Sequence, residues 1–224
     1  MKSAKSIGRA VGILLLLQLA AGLTVPFILM KPLVAGSPGF LTAAAENAFQ
    51  IRAGVLLAFI GGALTFGIAV TAFPVFRRYS GAAAIWFPAV CAVSWTLDIV
   101  HGGAAMSMLS LSQEYLKGSG AEAELYQVVG TAVAAARRWA HFAQLAAIGG
   151  WIFLFYGSLF RFALIPRALA AVGLVGIALQ FTGVTLMMFL GYGLISEMAM
   201  PMLPIQIAVA AWLIVRGFNE QRLS

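Results

Sequence analysis

Six long runs of apolar residues, separated by charged and helix-breaking residues, constrain the fold of this chain more than any other feature. An α-helix needs about 20 such residues to cross the hydrocarbon layer of a bilayer. Only helices and closed barrels satisfy their backbone hydrogen bonds inside lipid. The runs therefore predict an all-α polytopic membrane protein, a six-transmembrane-helix bundle that forms a single membrane domain over residues 1–224. The predicted spans cover residues 11–30, 52–76, 82–108, 139–160, 167–190 and 197–215.

The composition agrees with this prediction and excludes other classes of protein. Hydrophobic residues make up 62% of the chain and charged residues 9%, against about 25% charged residues in a typical soluble domain. The net charge is +7, but the basic residues stand singly or in pairs at the ends of apolar runs. Nucleic-acid-binding proteins instead gather Lys and Arg on one solvated face, so we expect no nucleic-acid partner. Cys91, the only cysteine, cannot form an intrachain disulfide.

The segments between the spans differ in character. Residues 31–48 contain prolines and glycines and then an alanine-rich stretch, which predicts a loop followed by a short helix. Residues 112–125 carry charges and glycines and predict a solvated loop, with the fourth helix beginning near Glu124. Pro166 suits the first turn of the fifth helix, and Pro88 is expected inside the third, where neighbouring helices can satisfy the freed backbone group.

The first span has two further features. A cleaved signal peptide would end near Ala21, but the apolar run continues to Lys31, so we interpret it as a retained helix. The spacing Gly8-x-x-x-Gly12 is one that pairs transmembrane helices. Oligomer formation is therefore left open.

Basic residues set the expected orientation, because short loops rich in Lys and Arg stay in the cytoplasm. With the N-terminus inside, nine basic residues lie on the cytoplasmic side and five on the outer side. The cytoplasmic residues are Lys2, Lys5, Arg9, Arg77, Arg78, Arg161, Arg167, Arg216 and Arg222. The outer residues are Lys31, Arg52, Lys117, Arg137 and Arg138. We therefore predict that both termini face the cytoplasm.

Ionisable residues within the spans are costly in a bilayer, so their depth is informative. Counting along the helices places Asp98 roughly 30 Å from Arg78, and His141 roughly 30 Å from Arg161. The same count gives roughly 28–37 Å for His101, Arg138, Glu197 and Arg52. Charged and polar groups from four spans thus reach one level, the predicted outer edge of the hydrocarbon.

Helical spacing predicts which of these residues share a face. One face of the third span contains Cys91, Ser94, Asp98, His101 and Ala105. Arg137, His141 and Gln144 have the same spacing on the fourth span. Asp98 is thus placed to hold His101 or to pair with an arginine of the fourth span.

Two interpretations of this polar layer are open. In the first, its members are interfacial residues that form ion pairs or extend towards headgroups. In the second, they line an outward-facing pocket, as intramembrane ionisable groups commonly do. The predicted ligand-binding residues are Arg52, Asp98, His101, Arg137, Arg138, His141, Gln144 and Glu197.

Three kinds of ligand suit such a pocket. An anionic or zwitterionic amphiphile, such as a lipid headgroup, could be held by the arginines. Haem needs two axial ligands, and the two histidines of the chain lie on different spans. Copper is the third, because thioethers suit Cu(I), although methionine is also an ordinary apolar filler. The predicted metal ligands are His101, His141, Met106, Met108 and Met198.

Catalysis is a class of function separate from ligand binding and from metal or haem binding. His101 or His141 could act as a base with Asp98 as its orienting partner, as in a membrane-embedded lipid-modifying enzyme. However, no serine lies in a nucleophile motif and HExxH is absent, so enzyme activity is left open. The leading hypothesis is binding or sensing of a small ligand or lipid headgroup, with membrane lipids as partners. A haem- or copper-binding redox or metal-handling protein is the alternative.

The second half of the chain resembles a known family. The runs Gly157-Ser158-Leu159-Phe160-Arg161, Leu164-Ile165-Pro166-Arg167 and Ala210-Ala211-Trp212-Leu213-Ile214-Val215-Arg216-Gly217-Phe218 are similar to a bacterial membrane family catalogued as domain of unknown function 4386. Arg52-Ala53-Gly54 is a weaker similarity. The resemblance implies a compact six-helix bundle in a bacterial plasma membrane, and it implies no reaction. The sequence Arg216-Gly217 is typical of a basic helix end with a glycine cap.

Overall fold

The computed structural model describes residues 3–34, 39–118, 122–193 and 195–219. Within these ranges the secondary structure is helical, and six of the helices are long and apolar enough to cross a membrane. The predicted all-α fold with six spans is thus confirmed. Its orientation stays a prediction, and Lys2 and Arg222, which enter the charge count, lie outside the described residues.

The described helices are α1 (Ala4–Thr24), α2 (Lys31–Val34), α3 (Phe40–Glu46), α4 (Ala48–Tyr79), α5 (Gly81–Lys117), α6 (Ala123–Arg161), α7 (Arg167–Leu190), α8 (Ile195–Ala199) and α9 (Met202–Arg216). A π-helix over Val25–Leu29 continues α1 and has a proline at its start. The Gln50 Nε2 donates to the carbonyl of Ile28 at 2.8 Å. This side chain therefore satisfies a backbone group that the π-helix leaves free.

The loop predicted over residues 112–125 is wrong for most of its length, because α5 continues to Lys117 and α6 begins at Ala123. Lys117 Nζ lies 2.8 Å from Glu114 Oε1, an i,i+3 pair on the exposed helix surface. The charged residues there belong to a solvated helix end, which has the same composition as a loop. At 1.5 Å per residue, α5 and α6 are roughly 55 Å long, so each exceeds a hydrocarbon layer of about 30 Å.

The prolines act as the sequence predicted at two places and differently at a third. Pro88 lies inside α5, and Pro166 immediately precedes α7. Pro201 divides the sixth predicted span, because α8 ends at Ala199 and α9 begins at Met202. Proline has no N–H to continue a helix. At the other end of α9, Gly217 adopts φ 74°, which confirms the predicted glycine cap.

The described chain falls into two compact units, of which the first contains residues 1–19, 63–95 and 145–224. Its core includes Phe76, fully buried, whose ring centroid lies 5.4 Å from that of Phe87 and 6.5 Å from that of Phe218. A Cβ at Gly12 would lie 2.8 Å from the carbonyl oxygen of Ala210. The Gly8-x-x-x-Gly12 spacing is therefore used within the chain, where it lets α1 approach α9 closely.

The second unit contains residues 20–62 and 96–144. The short helix α3 buries Phe40 and Leu41 in its core. The hydroxyl of Ser112 accepts a hydrogen bond from the Ala45 amide at 2.8 Å and donates one to the Leu41 carbonyl at 2.7 Å. These two bonds fix α3 against α5, and the unit also holds the polar residues considered next.

Candidate functional site

In the second unit, α5 and α6 run antiparallel and bring their polar faces together. The rings of Tyr115 and Tyr126 lie 5.8 Å apart, and those of His101 and His141 lie 4.9 Å apart. From the tyrosine pair to the histidine pair, the residue number falls by 14 on α5 and rises by 15 on α6. The two helices thus keep a constant register, which also places Gln144 opposite Asp98.

The predicted face of α5 is confirmed. Asp98 is 8% exposed and His101 is 6% exposed. Cys91, Ser94 and Ala105, the other members of this face, are also buried. On α6, the side chains of Arg137, His141 and Gln144 are half-buried. We call Asp98, His101, Arg137, His141 and Gln144 the α5–α6 polar cluster.

A chain of hydrogen bonds runs through this cluster. The Gln144 Nε2 donates to Asp98 Oδ1 at 2.6 Å, and the Gln144 Oε1 lies 3.1 Å from His141 Nδ1. Because an amide oxygen only accepts, His141 carries a proton on Nδ1. In the neutral ring, Nε2 then keeps its lone pair. The expected pairing of Asp98 with His101 or an arginine is thus replaced by a bond from Gln144.

The histidine pair lies beside a positive charge. The His101 and His141 rings are tilted by 33° to each other at a centroid distance of 4.9 Å. Arg137 precedes His141 by four residues on α6, so its positive charge lies one helical turn from His141 on the same face. Arg137 Nε and His101 Nε2 are both buried, and neither has a hydrogen-bond partner among the described residues.

Helix α4 packs against α5 at Gly102, the residue after His101, through a contact that sequence reasoning missed. A Cβ at Gly102 would lie 2.7 Å from Cε1 of Phe59 and 3.2 Å from Cγ1 of Val55. The glycine that follows His101 therefore admits the Phe59 ring against α5. Glycine within a membrane span is a known signal of close helix approach, and it was available in the sequence at Gly102.

The other predicted site residues lie elsewhere. Arg52 and Arg138 are exposed, and neither has a described contact with the cluster. Glu197 is exposed on α8, and Met198 lies on the same helix, which belongs to the first unit. Met108 is buried in the hydrophobic core of the second unit, and Met106 packs against that core.

Comparison with known families covers nearly the whole chain. Residues 10–217 match the family described as "Domain of unknown function (DUF4386)". The chain belongs to the DUF4386 family. The resemblance predicted from the second half is confirmed and extends through the first half. No curated protein and no solved structure matches the chain.

All five cluster residues lie within the matched DUF4386 region, so the cluster is part of the family domain. A haem held between the two histidines does not fit the geometry of this DUF4386 protein. Two metal–nitrogen bonds of about 2.0 Å each put the ring centres of opposed imidazoles about 6 Å apart, whereas these rings are 4.9 Å apart. No porphyrin can lie between them.

A resident metal ion also has little support in this arrangement. Within the described part of the chain, no group of three or more His, Cys, Asp or Glu side chains could hold one. Arg137 carries a positive charge in the same cluster, and a bound metal would add a second positive charge there. Within the cluster of this DUF4386 protein, Arg137 Nε and His101 Nε2 are the buried side-chain nitrogens that have no hydrogen-bond partner among the described residues.

Proposed function

We propose that this DUF4386 protein binds the phosphate or carboxylate group of a small molecule or lipid headgroup at the α5–α6 polar cluster, in a bacterial plasma membrane. One observation carries the proposal: Arg137 Nε and His101 Nε2, two buried nitrogens of one cluster, each have no hydrogen-bond partner among the described residues. An acidic oxygen satisfies both when the neutral His101 ring carries its proton on Nε2. The protein is then a ligand-binding or sensing membrane protein.

The energetics of unpaired groups support an acceptor at this position. A buried donor left without a partner costs about 1–3 kcal/mol, and more when it is charged. Arg137 Nε–H can only donate, so its partner has to be an acceptor. Trp95, Trp151 and Trp212 of the first unit also have unpartnered indole nitrogens, but those donors are neutral. Arg137 and His101 differ from these tryptophans in two ways: Arg137 is charged, and both residues belong to the same cluster.

The distribution of charge supports an anion at one end of the cluster. Arg137 and Gln144 are seven residues apart on α6, which separates them by about 10 Å along the helix axis. Gln144 bonds to Asp98, so the negative end of the cluster is distant from the positive end. Asp98 and Gln144 orient His141, while Arg137 and His101 are left to meet the ligand. In the described chain, Arg137 forms no ion pair that would neutralise it.

The predicted orientation places this site near the outer edge of the hydrocarbon. With both termini in the cytoplasm, the cluster lies roughly 30 Å from the cytoplasmic arginines. Phosphate groups of lipids lie at that level of a bilayer. A lipid headgroup and a water-soluble acid can both reach it, so the experiment has to separate them.

The test compares two neighbouring arginines that differ in burial. Thermal unfolding of the detergent-solubilised protein is followed with added phosphatidylglycerol, phosphatidylcholine, inorganic phosphate or acetate. We expect at least one acidic probe to raise the unfolding temperature of the wild type and of Arg138→Ala, which alters an exposed side chain. Arg137→Ala and His101→Ala should reduce the stabilisation by that probe.

The identity of the stabilising probe assigns the ligand class. Stabilisation by phosphatidylglycerol alone that Arg137→Ala reduces indicates a lipid headgroup at the cluster, and stabilisation by phosphate or acetate that Arg137→Ala reduces indicates a soluble acid. An Arg137→Ala protein that responds to every probe as the wild type does would refute the proposal. The same conclusion would follow if Arg138→Ala removed the response and Arg137→Ala did not.

A further inference from the structure

A second group of cationic side chains lies at the C-terminal end of α4, in the first unit. A cleft of about 420 Å³ is lined there by Phe73, Pro74, Arg77 and Arg78. These residues occupy two successive turns of one helix, at the point where the apolar part of α4 ends. The cleft shares no residue with the α5–α6 polar cluster.

Aromatic packing fixes the orientation of this helix end. Phe76 is fully buried, and its ring centroid lies 5.4 Å from that of Phe87 and 6.4 Å from that of Phe162. Tyr79 stacks on Phe162 at 5.2 Å. Because Phe76 and Tyr79 turn inward at a three-residue spacing, the intervening Arg77 and Arg78 are exposed. The two guanidinium groups are thus presented from a rigid base.

The charge of the two arginines has no described counter-ion. The segment Ala63–Trp95 contains no Asp or Glu. Within the described ranges, the ion pair between Lys117 and Glu114 is the only one. Arg9 of the same unit differs, because its guanidinium donates to the Val215 carbonyl at 3.4 Å. Two cations that are close, exposed and unpaired form a site for a dianionic or monoanionic oxygen group.

The wall of the cleft on the membrane side is apolar. Pro74 is exposed, and Val70, one turn earlier, is 51% exposed. The side chains of Pro74 and Val70 are both apolar, so an apolar surface leads from the two arginines along α4 into the span. A ligand that follows this surface needs an acidic head and a hydrocarbon tail.

We infer that the cleft formed by Phe73, Pro74, Arg77 and Arg78 binds the phosphate of an anionic phospholipid, whose acyl chain lies along Pro74 and Val70. Arginine suits this role because its planar fork bonds two phosphate oxygens at once. The inference does not depend on the proposed function of the α5–α6 polar cluster. It adds a lipid site on the side of the membrane that the charge count predicts to be cytoplasmic.

Titration of the detergent-solubilised protein with phosphatidylglycerol, read by native mass spectrometry, tests this site. Each basic residue near an anionic lipid surface contributes about fivefold in affinity, so Arg77→Ala/Arg78→Ala should raise the Kd about 25-fold. The matched control is Arg161→Ala/Arg167→Ala, which removes two exposed arginines of the same unit that do not line the cleft. We expect the control to keep the wild-type Kd within about threefold, as for charges that act only at long range.

Three outcomes would overturn the inference. Equal losses in both double variants would mean that surface charge alone attracts the lipid. An unchanged Kd in Arg77→Ala/Arg78→Ala would mean that the cleft is not used. Displacement of the lipid by inorganic phosphate at a similar concentration would assign the cleft to free phosphate.

Two further variants keep the result interpretable. Arg77→Gln/Arg78→Gln retains long polar side chains and should lose binding to the same extent, which covers the case in which the alanine variant fails to fold. Arg138→Ala, which alters an exposed arginine of the second unit outside both proposed sites, should leave the Kd at the α4 cleft unchanged. A loss in Arg138→Ala as large as in Arg77→Ala/Arg78→Ala would mean that the cleft is not specific for the lipid.

Discussion

Replacing Gln144 by Leu should destabilise the protein strongly, although the two side chains are similar in size. Gln144 links Asp98 to His141, with bonds of 2.6 Å and 3.1 Å. Leucine keeps the packing volume and removes both bonds. Asp98, which is 8% exposed, then loses the donor that solvates its carboxylate.

The expected magnitude follows from the charge of Asp98. A hydrogen bond to a charged group contributes about 1.5–3 kcal/mol, and a neutral one about 0.5–1.5 kcal/mol. Hydrogen bonds between membrane helices average only about 0.6 kcal/mol, because the unfolded state also finds partners. The short bond to a buried carboxylate belongs at the upper end of this range. We expect Gln144→Leu to reduce the free energy of unfolding by about 3 kcal/mol.

A double-mutant cycle isolates the interaction from other effects of the substitutions. The variants are Gln144→Leu, Asp98→Leu and the double substitution, with reversible unfolding in mixed micelles as the assay. We expect a coupling free energy of about 1.5–3 kcal/mol. Gln127→Leu, at an exposed position of the same helix, serves as the control and should change stability by less than about 0.5 kcal/mol.

Additive effects would refute this reasoning. If the coupling free energy were below about 0.6 kcal/mol, the bond would be no stronger than an ordinary interhelical contact. The hydrogen-bond chain would then not fix the orientation of His141. A loss of stability in Gln127→Leu as large as in Gln144→Leu would contradict the assignment of the effect to the cluster.

Three other substitutions test the fold. Gly12→Ala should lower the free energy of unfolding by about 1–3 kcal/mol, because the added Cβ overlaps α9. The control is Gly67→Ala, whose Cβ would have no atom within 4 Å and which should be neutral or stabilising in the same unfolding assay. Ser112→Ala should remove both bonds to α3 and speed hydrogen exchange of the Ala45 amide about fivefold or more, since about 1–3 kcal/mol of pairing is lost. Glu114→Gln should leave stability unchanged, because its ion pair with Lys117 is solvent-exposed; a measurable loss would contradict that assignment.

The spans and the buried face of α5 were predictable because they depend on periodicity within one helix. Apolar runs of membrane-spanning length predicted the six helices. The three- and four-residue spacing predicted the face of α5 that carries Asp98 and His101. These features need no knowledge of neighbouring helices. The charged segment after residue 112 was misassigned for a related reason, since an exposed helix end and a loop have the same composition.

Partners across helices were predictable only in part. Depth counting placed Asp98, His101 and His141 at one level, but several groups on α6 lie within a turn of that level. The choice of Gln144 over Arg137 or Arg138 as the partner of Asp98 depends on the register of α5 and α6, which the packing of side chains sets. Arg138 follows Arg137 directly, and a rotation of 100° between neighbouring residues makes one half-buried and the other exposed.

Arg137 and His101 are proposed to meet an acidic group between α5 and α6. A cryo-electron microscopy map of the protein in nanodiscs, prepared with the probe that stabilises it, would show this group. We expect density for a phosphate or carboxylate about 2.7–3.0 Å from both Arg137 Nε and His101 Nε2. A map with Arg137 turned away from the two histidines, and with no density beside them, would contradict it.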